Sequence, residues 1–105
     1  MLIGDDVRIQ LLRSTTNHTG NLQFAMSYAI NDTVAIDAGS LGFQSLERQQ
    51  QIQHLFLSHC HLDHINSLPL WLDNIFQPTP AAPAVYAGAF TWKTIKSDLM
   101  NDRVW

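Results

Sequence analysis

His59-Cys60-His61-Leu62-Asp63-His64 places three imidazoles and a carboxylate within six consecutive residues. Nitrogen and oxygen donors of this kind suit a divalent transition metal. Zinc is the first expectation, and manganese and iron accept the same ligands. A hydrolytic metal site also keeps one position open for water. The preceding Leu55-Phe56-Leu57 reads as a short buried strand. If extended backbone continues past it, His59, His61 and Asp63 share one face, because side chains alternate along a strand. His64 falls outside that alternation and reaches a second centre if the chain turns there. Cys60 would point the other way and reads as a small packing residue. A single histidine is most often a core or surface residue, but four donors at this spacing, directly after a strand, favour a metal site.

The elements that must position this run are short. Val7, Ile9 and Leu11 alternate with Arg8 and Gln10, as in a half-buried strand. Thr15 to Asn21 is polar, contains His18 and Gly20, and reads as a loop whose histidine is a surface residue, although loops of this kind can border a substrate cleft. Phe24, Met26, Tyr28 and Ile30 alternate again, and Asn31-Asp32 predicts a tight turn into a return strand, Thr33 to Asp37. Ser45 to Gln53 reads as an exposed helix, and His54 as a structural residue at the start of the buried strand. Beyond the motif, Leu68, Trp71, Leu72 and Ile75 recur at helical spacing, with Asn66 as the expected cap and Pro69 in the first turn, where its missing N–H costs little. Pro78, Pro80 and Pro83 predict a loop, Ala84-Val85-Tyr86 a strand ended by Gly88, and Trp92, Ile95 and Leu99 a last helix. The expected order is three strands, helix, strand, helix, strand, helix.

Composition narrows the function classes. The chain has 105 residues, enough for one small domain, and its 46% apolar content argues against disorder. A net charge of −3, with six scattered Lys and Arg, offers no basic stripe for nucleic acid. No apolar run is long enough to span a membrane. One cysteine precludes an internal disulfide. With an N-terminus that lacks the pattern of a signal peptide, this makes a cytoplasmic location the expectation.

His-x-His-x-Asp-His resembles the signature of the metallo-β-lactamase-fold hydrolases. The longer run from His59 to Leu68 is similar to that of the class II 3′,5′-cyclic-nucleotide phosphodiesterases: Leu62 precedes the aspartate, Ile65 follows the last histidine and Ser67 comes two further on. Pro69 stands where that family usually has an aliphatic residue. Ile36-Asp37-Ala38-Gly39 looks like the family's strand-end Asp-x-Gly, and Asn101-Asp102-Arg103-Val104-Trp105 like its Asn-rich segment ending in Trp. The resemblance covers about residues 33 to 105.

It implies an α/β (α+β) fold: the N-terminal half of an αββα sandwich, a mixed sheet with flanking helices, with residues 1–105 as a single partial domain. It implies two divalent metal ions, zinc expected. His59 and His61 would begin one centre, and Asp63 and His64 the other, with Asp37 as a group behind the ligands. The closing ligands, two histidines and a bridging aspartate, lie downstream of the family's first half. The ions would lower the pKa of a shared water, Asp63 would orient it, and hydroxide would open a cyclic nucleotide, cyclic AMP by resemblance, to the 5′-monophosphate.

The expected partner is therefore a small cyclic nucleotide, with neither nucleic acid nor membrane. A half sandwich also leaves one sheet face uncovered, so a missing C-terminal half or a homo-oligomeric partner is expected to complete it. Two rival readings follow. One keeps the fold and changes the substrate to tRNA, a thioester or a lactam. The other makes the 105 residues an inactive truncated metal-binding chain.

Overall fold

The computed structural model describes residues 6–15, 22–77 and 82–105. Most of the expected loop at Thr15 to Asn21, with His18, lies outside them, as do Pro78 and Pro80. Five strands form one mixed sheet in chain order: β1 (Ile9–Leu11), β2 (Tyr28–Ile30), β3 (Val34–Ile36), β4 (His54–Leu57) and β5 (Ala84–Ala87). β1 to β3 are antiparallel, and β3, β4 and β5 run parallel. The helices are α1 (Leu46–Gln51), α2 (Leu62–Ile65), α3 (Leu68–Ile75) and α4 (Ala89–Asp98). The expected order holds, with two additions: a 3-10 turn, Leu41–Phe43, between β3 and α1, and the short helix α2 within the histidine motif itself.

Local chemistry sets the boundaries. Asn31 takes φ 52° in the β2–β3 turn, a left-handed conformation that asparagine tolerates. Ser45 caps α1 by accepting from the Arg48 N–H, and α1 is shorter than the expected Ser45–Gln53 helix. Pro69 lies in the first turn of α3 as expected, but Ser67 is the N-cap, while Asn66 ends α2. The Ser67 hydroxyl makes no capping bond. It donates to Ala38 O and accepts from Gly42 N–H, fastening α3 to the loop after β3.

The register separates two faces. Ala29, Ala35 and Leu55 pair across the sheet and are fully buried against Leu41, Ile52, Leu68, Trp71 and Ile95. Trp71 also donates its Nε1–H to Gln49 O. The next row, Leu11, Tyr28, Ile36, Phe56 and Tyr86, lies on the opposite face. There Leu11, Phe56 and Tyr86 are all at least 40% exposed, and the Phe56 and Tyr86 rings stack at 4.5 Å. Two expectations change as a result. Phe56 is not buried, and β1 is exposed along its length. The apolar residues Val7, Ile9 and Leu11 belong to the uncovered face, whereas Gln10 pairs with Ala29 on the helix side, where Leu12 is buried. The strand expected over 24–30 is also shorter, because the Met26 backbone is used elsewhere.

Met26 N–H donates to Asp63 O, and Met26 O accepts from Gly39 N–H. Ala38 N–H donates to His64 O, and Ser67 N–H to Ala38 O. These bonds dock α2 against the ends of β2 and β3. Gly39 is where the backbones meet: a Cβ there would strike Asp63 O and would lie 2.4 Å from Met26 N. The obstructing atoms are main chain and cannot swing aside. Gly39→Ala is therefore expected to exceed the usual overpacking cost and lower stability by more than about 3 kcal/mol in urea denaturation. An unchanged midpoint would contradict the close approach.

Candidate metal centre

Asp37 ends β3 with φ 64°, a conformation that L-residues adopt seldom and aspartate more readily than most. Its own backbone is well secured. Its N–H donates to Phe56 O, and its carbonyl accepts from the Ser27 hydroxyl at 2.6 Å. Its side chain is buried at the C-terminal ends of β3 and β4. Oδ1 accepts from Ser58 N–H at 2.7 Å, and Oδ2 lies 2.7 Å from both Ser58 Oγ and His64 Nδ1. β4 stops at Leu57 because the next N–H goes to this carboxylate instead of the ladder.

The chain then turns sooner than period-two alternation requires. His61 is the N-cap of α2, and Asp63 and His64 lie within the helix. His59, His61 and Asp63 consequently do not share one extended face. The helical turn instead sets the His59 ring beside two others, while the donor atoms of His61 and Asp63 join no group of three among the described residues. The His59 ring centroid is 4.6 Å from that of His61 and 4.2 Å from that of His64. Asp63 Oδ2 lies 3.5 Å from His64 Nε2. Cys60 packs against the core, as expected. His54 is remote from this cluster and faces the Tyr86 hydroxyl at 3.1 Å.

The donor set fits a cation. Donor atoms of Asp37, His59 and His64 all lie within 4.8 Å of one another. A carboxylate only accepts, so His64 Nδ1 carries a proton toward Asp37. In a neutral imidazole this leaves the Nε2 lone pair facing the Asp63 carboxylate, an arrangement that a cation between them would relieve. Distance alone would also allow Asp37 to ligate directly. Oδ1 accepts from Ser58 and Oδ2 is shared by Ser58 and His64, the pattern of a carboxylate that orients neighbouring side chains.

Sequence reading missed Ser58, whose only signal is its place immediately before His59, and Ser67, whose hydroxyl holds the loop behind the site. A cavity of about 690 Å³ lies at the other end of β4 and β5, lined by Gln53, His54, Phe76 and Ala84 among others; it touches none of the motif's donors. Its size does not make it the reactive site, because the convergent donors are elsewhere.

No curated protein matches the chain. Among solved structures, the chain is similar to unliganded yeast PDE1, with a TM-score of 0.61 and 16% identity. The match covers 92% of this chain and 45% of that one, so this chain spans under half of that protein's length. At this identity the likeness establishes the fold alone: a mixed sheet with flanking helices, consistent with a partial metallo-β-lactamase-like fold. The description "cAMP phosphodiesterases class-II" matches residues 6–105. The chain belongs to the class-II cAMP phosphodiesterase family.

Proposed function

We propose that the chain supplies one partial domain, and half the metal ligands, of a metal-dependent phosphodiesterase that hydrolyses 3′,5′-cyclic nucleotides to 5′-monophosphates. The observation that supports this reading is the gathering of the motif's side chains at the end of β4: the His59 ring lies beside those of His61 and His64, Asp63 lies beside His64, and the buried Asp37 holds His64 by Nδ1. His59 and His61 would hold one ion, and Asp63 and His64 a second, zinc being the expected metal. Two histidines alone leave an ion short of the three protein ligands usual at catalytic zinc, so further donors are required beyond these four.

When bound, such ions supply Lewis acidity and make a water nucleophilic near neutral pH. The chain's own residues do the positioning. Asp37 fixes the His64 ring, and Asp63, with a half-exposed carboxylate beside His64, would orient the attacking water. In-line attack on phosphorus would expel the 3′ oxygen. Preference for cyclic AMP comes from family membership, since no residue at the cluster is assigned to the base. Cytoplasmic placement belongs to the same proposal and is supported by the single free Cys60.

Two outcomes are expected of the gene product that contains this chain. Cyclic AMP hydrolysis stops on chelation and returns with zinc, while the 105 residues alone show no turnover. Activity that survives thorough chelation would overturn the metal-dependent reading. Loss of a ligand should also exceed loss of an orienting group. Asp37→Ala should lower metal affinity about 10–100-fold, as outer partners do, and His61→Ala should lower it further in a zinc competition titration. The reverse order would place Asp37 on the ion.

A further inference from the structure

Ser58 links Asp37 to His59. Its Oγ lies 2.7 Å from Asp37 Oδ2 and 2.8 Å from His59 Nδ1, and its own N–H is bound to Asp37 Oδ1. A hydroxyl has one proton to give. Given to His59, it would leave two oxygens facing each other at 2.7 Å with no hydrogen between them. Given to the carboxylate, it leaves Ser58 Oγ free to accept, and His59 Nδ1 must then be the donor. The second arrangement satisfies every contact. It also leaves His59 Nε2 unprotonated, the form a metal requires.

We propose that Ser58 is a positioning residue through which Asp37 sets the tautomer of His59. One buried carboxylate then fixes two imidazoles in the same form, His64 directly and His59 through the Ser58 hydroxyl. The ring nitrogen left for a ligand is determined by the hydrogen bond that the other one makes. Of the two, His59 is the more easily lost, because its link runs through an exposed serine. The role in metal binding rests on the phosphodiesterase reading above; the tautomer does not.

The test is the two-bond ¹H–¹⁵N spectrum of the metal-free protein at a pH where its imidazoles are neutral. His59 and His64 are both expected in the Nδ1–H form. Ser58→Ala should move His59 toward Nε2–H and leave His64 unchanged, Ser58→Thr should restore His59, and zinc affinity should fall about 10–100-fold in the alanine variant only. Wild-type His59 in the Nε2–H form overturns the proposal without any variant. An unchanged His59 tautomer in Ser58→Ala also overturns it, even if affinity falls, because the serine would then be merely structural. Absence of cyclic-nucleotide turnover would sink the functional reading and leave this inference standing.

Discussion

The structure turns on one buried carboxylate. Asp37 takes the backbone N–H of Ser58, the Ser58 hydroxyl and the His64 ring, and these contacts tie β3, the end of β4 and α2 together at one point. Hydrogen bonds to an ionised acceptor are stronger than neutral ones, and burial raises the cost of leaving any of them unmade. The left-handed backbone at Asp37 is sustained by the bonds to Phe56 O and from Ser27 Oγ. Strain of this kind persists where the surroundings over-determine it. Gly39 completes the arrangement by letting the backbones of Met26 and Asp63 approach.

Much of the site was legible in the sequence because ligand chemistry is written in residue types. Four donors in six residues call for a common focus; the structure gathers their side chains at the end of β4, and of the four His59 and His64 share a donor group, with Asp37. Asp37 was legible at the end of its strand. The route was not. Alternation carried through Asp63 requires β4 to continue, whereas the strand ends when Ser58 N–H turns to Asp37, a residue far away in sequence. Ser58 carried no signal of its own, since its role exists only because β3 and β4 are parallel neighbours. The phase of β1 was unreadable for a different reason. Alternation identifies two faces but not the one that helices cover, and here Leu12, not Leu11, is the buried residue.

The fold and the site are partial in the same sense. One sheet face is sealed by helices, and the other presents Leu11, Phe56 and Tyr86. Likewise, in the proposed centre the motif would begin two ligand sets and complete neither. This chain covers 45% of the yeast PDE1 chain that it resembles in fold. A second layer carrying the remaining ligands would answer both needs together, which is why the proposed activity is assigned to the assembled fold and not to these residues alone.

In the proposed centre Asp37 orients the ligands and does not bind metal. Anomalous diffraction at the zinc edge from crystals of the zinc-loaded protein tests it most directly. Zinc is expected on His59 and His61, and on Asp63 and His64, with Asp37 Oδ2 still bonded to His64 Nδ1. A single ion held by Asp37, His59 and His64 would contradict it.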